Sequence, residues 1–222
     1  GVKVRVIGEY DNQSTAPWGT LSSAGILVVP DNYDAVNAGA GLMHNKFFVF
    51  DNRDTTSETD DWVWTGSWNL TDPGTNNDMQ NSIEIQDKAL ANAYTLEFNE
   101  MWGSNIDIPS AASSRFGARK LDNTPHHFVI GSVPLENYFS PSDRTTNQIL
   151  KTINKATYSI SVAMLTLTRS DIANAMATKK SAGLKVRAVI DNRTDQGSQF
   201  DTLLARQVDV RLDVNSAFLH HK

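Results

Sequence analysis

His44-Asn45-Lys46, with Asp51 downstream, spells H-x-K-x-x-x-x-D. Ser67 follows 16 residues later (67 − 51 = 16) in Gly66-Ser67-Trp68-Asn69, a G-S-x-N run. Side chains two apart on a strand face the same side, so this spacing presents the His44 imidazole and the Lys46 ammonium together. Ser67 and Asn69, again two apart, add hydrogen-bond donors from a neighbouring strand. A phosphate held there meets a nucleophile or acid, a fixed positive charge and polar donors. Phosphoryl transfer needs little else than such positioning and stabilisation of the equatorial oxygens. A lone H-x-K is an ordinary surface pair. The aspartate, the G-S-x-N and a second His220-His221-Lys222 make chance a poor account here.

The second motif belongs to an internal repeat. Gly1-Val2-Lys3-Val4-Arg5-Val6-Ile7 matches Gly183-Leu184-Lys185-Val186-Arg187-Ala188-Val189, each soon followed by Asp-Asn, at Asp11-Asn12 and Asp191-Asn192. Leu42–Lys46 matches Phe218–Lys222, with the histidines offset by 176 residues (220 − 44 = 176). So long a period indicates a duplicated domain, since solenoid units are about 20–50 residues. Residues 1–120 read as the later part of a first repeat, with complete H-x-K-x4-D and G-S-x-N. Residues 121–222 read as a connector and the early part of a second repeat. Both ends of the duplication look truncated: the first copy lacks its opening β-α, and no aspartate or G-S-x-N follows Lys222.

The elements that must position these groups form an α/β pattern. Tyr158–Leu165 is a strand-like run, a helix capped by Ser170 follows, and Lys185–Ile190 is a second strand, a β-α-β unit that predicts a parallel pair. Lys46–Phe50 reads as a buried strand, Trp62–Trp64 as a short strand with both tryptophans in the core, and Ser82–Ile85 as another. Residues 88–102 read as a helix with Asp87 as N-cap and Gly103 as its stop. Ile108–Pro125 reads as a connector, and Ser142 or Asp143 caps a helix running through Ile149 and Ile153. His126-His127 read as a loop pair rather than metal ligands, and the acidic stretch Asp54–Asp61 as a solvated hairpin tip rather than a calcium loop.

H-x-K-x4-D, G-S-x-N and the second H-x-K together resemble the signature of the phospholipase D superfamily, over essentially the whole chain. The resemblance implies a duplicated phospholipase-D-like α/β sandwich with mixed sheets and pseudo-twofold halves. It also implies a two-step, metal-independent reaction without a cofactor: one histidine attacks phosphorus to form a phosphohistidine, and the other acts as acid and then base. His44 and His220 match the paired histidines, and Lys46 and Lys222 the phosphate-binding lysines. Ser67 and Asn69 match the G-S-x-N ligands, Glu84 a histidine-orienting carboxylate, and Asp51 a structural support. By analogy the first-copy histidine is the nucleophile, although sequence symmetry alone gives no physical reason to prefer it.

Composition narrows the partners. The chain has 222 residues, no cysteine and a net charge of −5. That excludes disulfides and thiolate metal sites, and it argues against passive high-affinity DNA binding. No run approaches a membrane span. Polar Asn/Asp/Ser/Thr-rich loops suit a secreted or periplasmic protein. The expected substrate is a phosphodiester, with nucleic acid favoured over phospholipid because the interval between motifs resembles compact nuclease-like members. A phospholipase or phosphatidyltransferase calls for an apolar rim or an interfacial helix, and no strongly amphipathic basic helix stands out. An inactive scaffold is the third alternative, and oligomeric state is left open.

Overall fold

The computed structural model describes residues 1–34, 36, 41–54 and 56–222. The chain forms two compact units, Gly1–Trp64 with Glu84–Thr145, and Thr65–Ile83 with Thr146–Lys222. This division cuts across the repeat, because the segment bearing G-S-x-N belongs to the same unit as the second H-x-K.

In the first unit β1 (Val6–Gly8) pairs in parallel with β2 (Val28–Pro30), joined through α1 (Ala16–Ser23). A three-stranded sheet follows, ordered β3 (Phe47–Phe50), β4 (Trp62–Gly66), β5 (Ser82–Gln86). The chain leaves the first unit within β4 and returns within β5, with α2 (Asp72–Asn76) between them. Between β3 and β4 the described residues, 51–54 and 56–61, include turns and bends. β3 is apolar on both faces, yet only Phe47 and Val49 pack inward; Phe48 and Phe50 are exposed and stack on one another. Likewise Val63, not its tryptophan neighbours, is the core residue of β4, and Trp62 is exposed. A run without alternation cannot reveal which face is covered.

α3 (Lys88–Trp102) has the expected bounds. The Asp87 carboxylate accepts from Leu90 N–H, and Gly103 ends the helix at φ 81°, where a Cβ would be strained. Its Leu90, Ala91 and Tyr94 meet Val63, Phe128 and Phe139, with edge-on ring contacts of Tyr94 to Phe47 and Phe139. The hairpin β6 (His127–Ile130) and β7 (Val133–Glu136) completes this core. Ile130 pairs with Val133, so Gly131-Ser132 is a two-residue turn with both residues at positive φ. His127 therefore sits in a strand rather than a loop. The stretch 108–125 has a 3-10 turn at Gly117–Arg119 and is otherwise irregular, and its Ser114, Phe116, Lys120 and Thr124 are buried.

The second unit holds a parallel sheet ordered β10 (Asp209–Leu212), β9 (Lys185–Ile190), β8 (Ser159–Met164). Val186, Ala188 and Ile190 of β9 pack against Ala173, Met176 and Ala177 of α5 (Ser170–Ser181) and Phe200 and Leu203 of α6 (Phe200–Ala205). α5 starts at Ser170, with Arg169 in the cap position instead of the expected serine. α4 (Thr145–Lys155) begins later than expected, because Arg144 at φ 52° breaks the chain direction. α4 is an amphipathic helix carrying Lys151 and Lys155 and no acidic residue, which the sequence reading did not single out. The order β9-α6-β10 repeats β1-α1-β2, strand for strand and in parallel. The fold is mixed α/β, with the two copies visible as backbone and not only as sequence.

Candidate active site

His44 and Lys46 lie on extended chain just before β3, outside its ladder. Asn45, between them, donates from Nδ2 to Glu97 Oε1 at 3.2 Å. His44 is exposed and Lys46 half-buried. Lys46 Nζ donates to the His44 carbonyl at 3.1 Å, and burial pushes this ammonium below the ordinary lysine range. Beneath Asn45, Glu97 pairs with the buried Lys120, which also donates to Ser140 O at 3.0 Å. Asp51 follows β3 at φ 58°, a conformation that Asp tolerates better than most residues, and its carbonyl accepts from Asp54 N–H.

His220 and Lys222 lie in the second unit with Ser67 and Asn69. The segment 218–220 pairs with Met79: Met79 N–H donates to Phe218 O at 2.8 Å, and His220 N–H to Met79 O at 2.9 Å. The His220 ring is buried, and its Nδ1 stands 3.2 Å from Ser67 O and 3.0 Å from Gln80 Oε1. Ser67 Oγ accepts from Asn81 N–H, which leaves its O–H to donate. Gly66 is needed beside it, because a Cβ there would lie 2.2 Å from Asn81 O. His221 bonds Asn81 through its ring, away from the role of His220. Lys222 Nζ donates to the His220 carbonyl at 3.3 Å, repeating the Lys46–His44 arrangement.

Each motif is also anchored one residue upstream. Met43 N–H donates to Glu9 Oε2 at 2.6 Å, and Leu219 N–H to Asp191 Oδ2 at 2.7 Å. Glu9 follows β1 and Asp191 follows β9, at matching places in the repeat. The structural counterpart of Asp191 is thus Glu9, not the Asp11 suggested by the Asp-Asn match. Glu84 is exposed on β5 and belongs to the first unit, whereas the side chain bonded to the His220 ring is Gln80. Glu9, Asp191, Gln80, Glu97 and Lys120 were not read as site residues from sequence. The equal distance of Glu9 and Asp191 from the strand repeats is the one signal that points to any of them.

Among the described residues, Asp122, His126 and Asp143 place ligand atoms within 4.8 Å of one another. These groups already satisfy each other. His126 bonds Asp122 through Nε2 and the Asn137 carbonyl through Nδ1, while Asp143 accepts from Phe139 N–H and Ser142 Oγ–H. A cation would have to displace those bonds, so the set does not fit a resident metal. It also shows His126 tied into the fold rather than idle in a loop. Trp68 donates to Thr75 Oγ1 on α2.

A profile of the family described as "Cardiolipin synthase, PLD-like domain" matches residues 1–102 and 149–222. The chain belongs to the phospholipase D superfamily. This phospholipase-D-like chain is 35% identical over 104 residues to the mitochondrial cardiolipin hydrolase of Xenopus tropicalis, covering 46% of this chain and 43% of that one. It is 28% identical over 86 residues to the mitochondrial cardiolipin hydrolase of Chlamydomonas reinhardtii, covering 38% and 39%. It thus aligns with less than half the length of these relatives. The crystal structure of phosphatidylserine synthase from Haemophilus influenzae Rd KW20 shares the fold, at a TM-score of 0.52 and 12% identity, over 86% of this chain and 49% of that one.

Proposed function

We propose that the protein is a phosphodiesterase acting on phospholipid, and that His44 and His220 share one reaction. The observation that carries this reading is the matched construction of the two motifs: an upstream carboxylate anchor, then a histidine, then a lysine folded onto the histidine's own carbonyl. The relatives bear names of phospholipid enzymes, two cardiolipin hydrolases and a phosphatidylserine synthase. They favour lipid over the nucleic acid suggested by the motif interval.

In the first step a histidine nitrogen attacks phosphorus. The P–O bond to the leaving alcohol breaks, and the other histidine, as imidazolium, gives that oxygen its proton. In the second step the now neutral histidine takes a proton from water, whose oxygen displaces the phosphohistidine nitrogen and releases a phosphomonoester. Lys46, Lys222, the Ser67 hydroxyl and the Asn69 amide hold the non-bridging oxygens, where charge is greatest in the transition state. An alcohol in place of water gives transfer instead of hydrolysis.

The test uses full-length protein in excess EDTA, with cardiolipin vesicles, phosphatidylcholine vesicles and plasmid DNA as separate substrates. Lipid cleavage is expected without added metal. His44→Asn and His220→Asn should each abolish most turnover, with the double variant little worse, because groups acting as a unit are non-additive. Cleavage of DNA but not of vesicles returns the nucleic-acid assignment. Loss on chelation with recovery on adding a divalent ion overturns the mechanism.

A further inference from the structure

We propose that Asn45 is a positioning residue for the first histidine motif: a buried Glu97–Lys120 pair holds its side chain and thereby sets where His44 and Lys46 stand. The proposal rests on the paired-histidine reading above. It gives a role to the middle position of H-x-K, to which the signature assigns none.

His44, Asn45 and Lys46 precede the ladder of β3, so contacts of the motif's own residues must fix their path. Asn45 reaches the interior. Its Nδ2 lies 3.2 Å from Glu97 Oε1 and 4.0 Å from Met101 Sδ, two groups one turn apart on α3. Glu97 and Met101 are each 1% exposed. An ionised carboxylate can only accept, so it selects the amide nitrogen of Asn45 and fixes the rotation of that side chain. A carboxylate in the interior needs a compensating charge. Lys120 supplies it by bonding the same Oε1, and is itself held by Ser140 O at 3.0 Å. Asn45 shares a peptide bond with His44 and another with Lys46, and their Cα atoms lie only ~3.8 Å from its own. Whatever displaces the middle residue therefore moves both functional groups.

The second motif is tied at the same place by different chemistry. His221 Nδ1 stands 3.1 Å from Asn81 Oδ1. Asn81 in turn exchanges bonds with Ser67: its N–H donates to Ser67 Oγ, and its carbonyl accepts from Ser67 N–H. In each motif the middle residue is thus the tether, and the residues beside it carry the reactive groups. The two tethers differ in setting. The His221 contact is exposed, whereas Asn45 bonds a carboxylate in the interior, where a hydrogen bond is electrostatically stronger than in water. Loss of the first tether should therefore cost more.

The experiment uses the full-length protein on the phosphodiester that the wild type cleaves, together with 15N-labelled histidine. The His44 and His220 ring signals are identified by their loss in His44→Asn and His220→Asn. Asn45→Ala removes the tether. It should lower kcat roughly 10- to 100-fold, the loss expected of a misplaced reacting group, with KM within about threefold. The His44 ring signals should shift or split while those of His220 stay in place. Asn45→Asp sets a second carboxylate against Glu97 and should fall at least as far. Adding Glu97→Gln to Asn45→Asp keeps one carboxylate beside Lys120 and reverses the direction of the hydrogen bond. The double variant should recover kcat to within about fivefold of wild type, because residues in direct contact couple. If Asn45→Asp does not fold, Asn45→Ala and the double variant carry the test. Wild-type kcat in Asn45→Ala overturns the proposal, as does a loss that vanishes once rates are divided by the folded fraction. A double variant that folds yet is no faster than Asn45→Ala overturns it too. If the wild type cleaves no phosphodiester while the His44 signals still respond to Asn45→Ala, the catalytic reading fails and the tether stands.

Discussion

Removing the ammonium beneath the first histidine motif should expose how much that motif depends on a buried ion pair. Lys120 and Glu97 have side chains only 3% and 1% exposed, and Glu97 also takes the Nδ2 of Asn45, the residue between His44 and Lys46. Lys120→Met leaves a carboxylate in the interior with the Asn45 amide still donating to it. Breaking such a pair from one side costs about 3–5 kcal/mol, a large share of a typical domain stability of about 5–15 kcal/mol. The variant can escape part of that cost by binding a proton. Burial already raises the Glu97 pKa, against the attraction and hydrogen bond of Lys120. Without Lys120 it rises further, each unit corresponding to about 1.4 kcal/mol. The sign follows: a carboxyl whose folded pKa exceeds its unfolded value near ~4.3 stabilises below that value and loses the contribution as pH rises through the folded pKa. The Lys120→Met defect should therefore be small near ~pH 4 and large at neutrality. Urea denaturation of variant and wild type at both pH values measures it. Adding Glu97→Gln should recover stability to within about 1–2 kcal/mol of wild type, because an uncharged amide still accepts from Asn45. A neutral-pH loss below about 1 kcal/mol, or the same loss at both pH values, would refute the reasoning.

Gly66→Ala should destabilise by about 1–3 kcal/mol or more and lower turnover through Ser67, since its Cβ meets the backbone at Asn81 O and Ser82 Cα. Gly19→Ala in α1 meets nothing and is the matched control, expected neutral or stabilising in thermal melts. For His126, burial lowers the pKa, but the bonds to Asp122 and the Asn137 carbonyl outweigh it and hold the ring above the ordinary imidazole range. Its contribution is present below the unfolded value near ~6.5 and lost as pH rises through the folded one. Urea midpoints between ~pH 5.5 and ~pH 8.5 should show that slope, and His126→Gln should flatten it.

Local signals were legible where they were self-contained. α3 carries its own cap, apolar face and glycine stop, so its bounds follow from sequence. The parallel β8–β9 pair follows from two strands separated by one helix. The repeat located both H-x-K motifs and, with them, the four basic and imidazole groups of the proposed chemistry. Properties set by tertiary packing were not legible. Phe47–Phe50 has no alternation to show that Phe48 and Phe50 stay exposed. Lys120, in a stretch of linker-like composition, is buried by an acid that lies 23 residues away. Gln80 is not legible from sequence because a neutral amide carries no charge signature, yet its oxygen stands 3.0 Å from the His220 ring nitrogen.

The two carboxylate anchors carry a further consequence for how this architecture tolerates change. Glu9 reaches Met43 across 34 residues and Asp191 reaches Leu219 across 28. The difference, 34 − 28 = 6, accounts for the change in repeat offset from 182 at the anchors (191 − 9) to 176 at the histidines (220 − 44). The staple ties the residue before the histidine to the end of its strand, and six extra residues between them add only ~0.2 kcal/mol of closure entropy. Spacer length is thereby uncoupled from catalytic register. Length can change only outside the packed elements of the spacer, such as α6 and β10, whose Phe200, Leu203 and Val210 lie in the core.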